Sequence, residues 1–201
     1  MTLSGLFVGI DRHQSPDIRE LSGARRDATA LWALFADSLP AANLQLLVNE
    51  GASVDAIRRD IRALLGEAGP DDAVILTFSG HGSQDHRIVA YDTELASLGT
   101  TTLGMDELAE LFRSSRAGAI LCVLDCCFSG AAPARVLERT PLTRDPGTPL
   151  ATLAGNGRIL LSAAGPNQSA LEHPTKRHGL LTLALLDALQ SGTDTHDLLG
   201  L

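Results

Sequence analysis

No stretch of this sequence approaches the roughly 18 consecutive apolar residues that a membrane-spanning helix requires, although apolar residues fill 44% of its 201 positions. A membrane is therefore not an expected partner. Cysteine is equally scarce: there are three, Cys122, Cys126 and Cys127, all within six positions. Adjacent Cys126 and Cys127 point to opposite sides of any strand and have no distant partner, so a disulfide framework is not expected and a reducing, cytoplasmic setting is. No Cys-x-x-Cys pair with matching histidines occurs, which argues against a zinc site. No Gly-x-x-x-x-Gly-Lys phosphate loop occurs either, and Gly80-His81-Gly82 is too short to be one. With a formal charge of −8 and no basic stripe, nucleic acid is not an expected partner. The first ten residues lack a basic region and a small-residue cleavage pattern, so no signal peptide is expected. There is no internal repeat, and the length suits one domain, residues 1–201, with its own core.

What the sequence does contain is alternation. Short β-branched and leucine-rich runs at 3–10, 44–48, 73–79, 87–91, 118–125 and 158–163 are bounded by Gly, Pro, Asp or Ser, as buried strands are. Between them, helical spacing appears at 27–35, 54–65, 106–112 and 180–190. In the second, Val54, Ile57, Ile61, Leu64 and Leu65 recur on one face, with Arg58, Arg59 and Arg62 interleaved. Ser53 is the expected N-cap and Gly66 the expected stop. This order predicts an α/β domain with a mostly parallel central sheet and helices on both faces. Ligands of such sheets sit beyond the carboxyl ends of the strands.

Two strand ends carry chemistry. The run at 73–79 ends in Gly80-His81-Gly82, and the run at 118–125 ends in Asp125-Cys126-Cys127-Phe128-Ser129-Gly130. If these strands are parallel neighbours, both clusters emerge on one edge. A thiol is a useful nucleophile only as thiolate and needs a base or cation beside it. A histidine between glycines can supply that base with little bulk, and the following backbone N–H can hold a developing oxyanion. Alone, His81 would be an ordinary loop histidine and Cys127 an ordinary buried thiol. Together at two strand ends they read as general base and nucleophile. His13, His86, His173 and His178 read as surface or loop residues, and Asp71-Asp72 as a cap on the turn into a strand.

Ser79-Gly80-His81-Gly82 and Asp125-Cys126-Cys127-Phe128-Ser129-Gly130 resemble the His and Cys boxes of the caspase–metacaspase clan, most closely the metacaspases and suggesting a prokaryotic member. The 46 positions from His81 to Cys127 are close to the roughly 50 of caspases. The caspase form Gln-Ala-Cys-x-Gly is not matched, whereas the metacaspase form Asp-x-Cys-x-Ser-Gly is. A third stretch, Leu21-Ser22-Gly23-Ala24-Arg25-Arg26-Asp27, is similar to the segment that opens the first metacaspase helix.

The resemblance implies a caspase-like three-layer sandwich and a cysteine endopeptidase working through a Cys127–His81 dyad and an acyl-enzyme. The oxyanion would be held by the N–H groups of Gly82 and Cys127. It further implies that Asp27, Ser79 and Asp125 line the primary specificity pocket, where carboxylates select Arg or Lys at P1, the residue before the scissile bond, as one does in trypsin. Caspases that cut after Asp carry arginines there; the matching positions here do not supply them, and Leu21 stands where one is expected. Taken without the resemblance, Asp27 is a first-turn helix acid and Asp125 a strand-end turn residue. Metacaspases often take calcium through acids near the segment matching 103–107. Only Asp106 and Glu107 stand there, so no metal or other cofactor is expected.

Residues 131–156 break the alternation with four prolines and with Arg135, Arg139 and Arg144. The resemblance marks them as the linker between the two halves of the domain and those arginines as candidate processing sites. The expected partners are a protein or peptide substrate with a basic P1 residue, and an activating protease or regulatory domain. Related folds continue past the helix at 180–190 with another helix and an edge strand, so the chain is expected to be a fragment lacking both. Two alternatives are a catalytically silent caspase-like module in a larger signalling or defence protein, and a small hydrolase or signalling domain of flavodoxin-like topology. The first is disfavoured by two intact catalytic positions. The second leaves the Asp-Cys-Cys-Phe-Ser-Gly box without a purpose.

Overall fold

The computed structural model describes residues 2–83, 85–126, 157–163, 173 and 175–191. Cys127 and the expected linker 131–156, with Arg135, Arg139 and Arg144, lie outside the described residues. The elements that position the site are β1 (Leu3–Gly9), α1 (Ala24–Ser38), β2 (Asn43–Val48), α2 (Val54–Glu67), β3 (Ala73–Ser79), β4 (Arg87–Val89), α3 (Leu98–Thr101), β5 (Thr102–Gly104), α4 (Met105–Ser114), β6 (Ala119–Asp125), β7 (Arg158–Ser162) and α5 (Leu180–Ser191).

Five of these strands form a sheet in the order β2-β1-β3-β6-β7, and every pairing in it is parallel. β3 shows why. Its run Ala-Val-Ile-Leu-Thr-Phe-Ser is buried at six of seven positions, so both of its faces need cover. On one face Leu6, Val8, Leu76, Phe78, Cys122 and Leu124 pack against α2 and α4. On the other, Phe7, Ile75 and Val123 pack against α1 and α5. The helices supply matching stripes: Ala24, Ala28 and Leu31 on α1, Val54, Ile57, Ile61 and Leu65 on α2, and Met105, Leu108, Ala109 and Phe112 on α4. Each stripe keeps the three-and-four spacing of a helix face. The result is a three-layer α/β sandwich.

Most of the expected elements stand where their spacing places them, with boundaries shifted by a few residues at helix ends. Ser53 is the N-cap of α2, accepting the Ala56 N–H at 3.2 Å. Gly66 does not stop that helix; α2 continues to Glu67, and the chain leaves through an extended Ala68. Asp72 caps its turn, its carboxylate accepting from the Gly69 and Thr2 N–H groups. The strand expected at 87–91 is shorter and belongs to a second, two-stranded sheet, antiparallel to β5, a partner the sequence reading did not anticipate. Among the described residues, no helix is long and apolar enough to cross a membrane.

Candidate active site

Parallel register carries the two polar clusters to one place. Ser79 at the end of β3 lies opposite Asp125 at the end of β6, and Gly9 at the end of β1 lies opposite Ser79. The strand exits are also tied: Gly80 N–H donates to the Asp125 carbonyl at 3.3 Å, and Ile10 N–H to the Ser79 carbonyl at 3.0 Å. His81 therefore emerges beside the chain segment that leads into Cys127. Cys126, between Asp125 and Cys127, is 1% exposed and packs into the core with Leu124 and Cys122.

The backbone around His81 is pinned by a returning segment. Val89 N–H donates to the His81 carbonyl at 3.1 Å and Ser83 N–H to the Arg87 carbonyl at 2.9 Å. These bonds flank the Gly82–Ile88 bridge, so the Gly82 N–H takes no part in that ladder. The His81 ring is oriented from the other side of the site, where its Nε2 lies 2.7 Å from the Arg19 carbonyl oxygen. A carbonyl only accepts, so Nε2 carries the proton; in the neutral ring, Nδ1 is then the basic nitrogen.

A second imidazole flanks the first. His13, read from sequence as a surface or loop residue, is half-buried with its ring centroid 5.5 Å from that of His81. Its Nδ1 donates to the Ala90 carbonyl at 3.0 Å. Burial, opposed by that carbonyl and reinforced by the proximity of His81, pushes its pKa down to about 4, so it stands beside His81 uncharged at neutral pH. His86 is a loop residue, as read, but a buried one, in a turn with left-handed backbone (φ 56°).

Asp27, Ser79 and Asp125 converge at the same edge. Ser79 Oγ donates to Asp27 Oδ2 at 2.9 Å, across the boundary between sheet and helix. Asp27 is 1% exposed, though it occupies the first turn of a surface helix. The residues that surround it come from far along the chain: Gly179 N–H donates to Oδ2 at 3.0 Å, and His178 Nδ1 lies 2.6 Å from Oδ1. Burial is the dominant influence on Asp27 and raises its pKa to about 6; bonds from Gly179, His178 and Ser79 pull it back, and the charge of Asp125 adds to the rise. Asp125 has its own anchor. Its Oδ2 accepts the Thr182 N–H at 3.0 Å and the Thr182 hydroxyl at 2.7 Å, so it caps the first turn of α5 from 57 residues away.

Sequence reasoning missed His178, Gly179, Thr182 and the Arg19 carbonyl. The one visible signal is Thr182 three residues after Gly179 at a helix start, and nothing in the spacing names Asp125 as its partner. Of the two acids weighed for a metal, Glu107 is taken up by Arg58, whose Nε is 3.2 Å from both carboxylate oxygens, and by Arg62 at 3.0 Å.

Comparison with known proteins agrees with this architecture. Residues 5–201 match the peptidase family described as the caspase domain. Metacaspase-3 of Trypanosoma cruzi (strain CL Brener) is 31% identical over 150 residues, covering 65% of this chain and 41% of that protein. The chain thus spans about two fifths of the length of this curated relative. A Geobacter sulfurreducens protein known from its crystal structure superposes with a TM-score of 0.71 at 18% identity, covering 96% of this chain and 83% of that one. Caspase-1 from Spodoptera frugiperda superposes with a TM-score of 0.67 at 15% identity, covering 96% and 72%. At such identities the structural likeness establishes the fold alone, whereas the sequence match extends over nearly the whole chain. The chain belongs to the caspase-domain family of cysteine peptidases.

Proposed function

We propose that this chain is a cysteine endopeptidase that cuts proteins after Arg or Lys, with Cys127 as nucleophile and His81 as general base. The observation that carries the proposal is the parallel register of β3 and β6, which sets Ser79 opposite Asp125. It brings the His81 turn alongside the segment leading into Cys127 at the carboxyl edge of the sheet, where α/β folds do their chemistry.

The proposed steps are those of acyl-enzyme chemistry. With Nε2–H held by the Arg19 carbonyl, Nδ1 of His81 takes the Cys127 thiol proton. The thiolate attacks the scissile carbonyl, and the oxyanion that forms is met by the N–H groups of Gly82 and Cys127. Collapse expels the amine, which leaves with the proton from His81, and water then hydrolyses the acyl-enzyme with His81 again as base. Neutral His13 beside the ring adds no charge that would oppose protonation of His81. The acids Asp27 and Asp125 at one edge support a pocket for a cationic P1 side chain, since a guanidinium buried there would find counter-charge.

Hydrolysis of fluorogenic peptides with Arg, Lys or Asp at P1 tests the assignment. Wild type should cleave after Arg and Lys. Cys127→Ala and His81→Ala should abolish turnover, Asp27→Ala should reduce it more than a hundredfold on Arg peptides, and Cys126→Ala should retain much of it. Activity surviving in Cys127→Ala but lost in Cys126→Ala would overturn the nucleophile. Efficient cleavage after Asp and none after Arg would overturn the pocket.

A further inference from the structure

The acid at the heart of the pocket is already in use. Asp27 Oδ2 accepts from both Ser79 Oγ and Gly179 N–H, and Oδ1 is paired with His178 Nδ1 at 2.6 Å. In that pair the carboxylate is the covered member, 2% exposed, and the imidazole the more exposed one at 16%. A carboxylate has about four lone-pair positions, and three are filled by this chain's own donors. The imidazole is also held in place. His173 N–H donates to the His178 carbonyl at 2.7 Å, and Arg177 N–H to the His173 carbonyl at 3.1 Å. Arg177 adopts the left-handed backbone (φ 53°) that tightens this loop. Arg26 of α1 donates to the Lys176 carbonyl at 3.4 Å, and directly after His178 and Gly179 the chain enters α5, docked on Asp125 through Thr182.

We propose that His178 is a specificity-determining residue: its imidazole occupies the place against Asp27 Oδ1 that a P1 guanidinium or ammonium must take, so a basic substrate binds only by displacing it. The proposal rests on the reading of Asp27 as a P1-binding acid. A guanidinium carries its N–H donors in a fixed fork and keeps its charge throughout the working pH range, so it can replace a single imidazole donor. A small apolar P1 side chain makes no claim on Asp27 and leaves His178 where it is. The resident imidazole thus sets a threshold that weakens binding of every P1 side chain needing Asp27, and of no other.

The test is an equilibrium one, backed by kinetics. Inhibition by agmatine, a free guanidinium, and KM and kcat for peptides with Arg or Ala at P1 are measured for wild type, His178→Ala and His178→Asn. Loss of a hydrogen bond to a charged group changes the competent fraction by about tenfold or more. His178→Ala should therefore bind agmatine about tenfold more tightly and lower KM for the Arg peptide by a similar factor. The gain should be specific to the cationic group: in His178→Ala the KM for the Ala peptide should change far less than the KM for the Arg peptide. His178→Asn, which keeps a donor near the same position, should remain close to wild type. Weaker agmatine binding in His178→Ala, restored in His178→Asn, would mean that the imidazole holds Asp27 in place rather than competing for it, and the proposal fails. Equal agmatine affinity in all three proteins overturns the proposal while leaving the acidic pocket standing. If agmatine binds to none of them and Arg is not preferred at P1, the pocket assignment and this proposal fall together.

Discussion

Gly179 is the position at which the smallest possible change should do the most damage. A methyl group placed on its Cα would lie 2.1 Å from Asp125 Oδ2, 2.6 Å from its Cγ and 2.7 Å from its Oδ1. All three distances are well inside van der Waals contact, so Gly179→Ala must push either the carboxylate or the start of α5 away. Asp125 would then lose the Thr182 N–H and hydroxyl, now at 3.0 and 2.7 Å, and Asp27 would be drawn away from the Gly179 N–H at 3.0 Å. Hydrogen bonds to a charged group contribute about 1.5–3 kcal/mol each. Losing two of them amounts to about 3–6 kcal/mol, which for a domain of this length lowers Tm by roughly 10 °C or more. Thr182→Val, which removes only the hydroxyl and leaves the N–H, should cost about 1.5–3 kcal/mol. Thermal and urea unfolding report the stability, and kcat/KM on an Arg peptide reports the site, where Gly179→Ala should fall at least tenfold. A Gly179→Ala protein that melts within about 2 °C of wild type and cleaves normally would refute the idea that α5 is anchored on the pocket acids.

Three further outcomes are expected. With Asp27 raised by burial to about 6, the preference for Arg over an uncharged P1 residue should weaken as pH falls through about 6; the ratio of kcat/KM values isolates this, because titration of His81 is common to both substrates. The same shift acts on folding with the opposite sense: a folded pKa above the ordinary aspartate value gives stability that is full below about 4 and lost as pH rises through about 6, which Asp27→Asn should abolish in urea titrations across that window. Thr77, 3% exposed, has a buried Oγ1 with no hydrogen-bond partner among the described residues, so Thr77→Val should raise stability by about 1 kcal/mol; a clear loss in urea unfolding would show the hydroxyl to be satisfied. If the proposed acidic pocket also serves self-processing, intact mass of incubated wild type should show cuts after Arg135, Arg139 or Arg144 that Cys127→Ala lacks, and an unchanged chain that is fully active without those arginines would remove them as processing sites.

Much of the scaffold was legible because its causes are local. A strand buried on both faces must read as a short apolar run, and β3 does so at the bounds its spacing predicted. A helix with one covered face must repeat every three or four residues, as Val54, Ile57, Ile61 and Leu65 do. The His81 and Cys127 boxes are contiguous, so their residue types could be recognised before any geometry was known. The tertiary structure alone decided what surrounds them. The short strand at Arg87–Val89 reads like any other, yet it pairs outside the main sheet, because pairing depends on a partner strand rather than on its own composition. Asp27 and Asp125 look like a first-turn acid and a turn residue because their neighbours in sequence are ordinary. Their partners His178 and Thr182 lie 151 and 57 positions away. These contacts arise only when α1, β3, β6 and α5 pack at one edge and exclude water, which forces each buried polar atom to find a partner within reach.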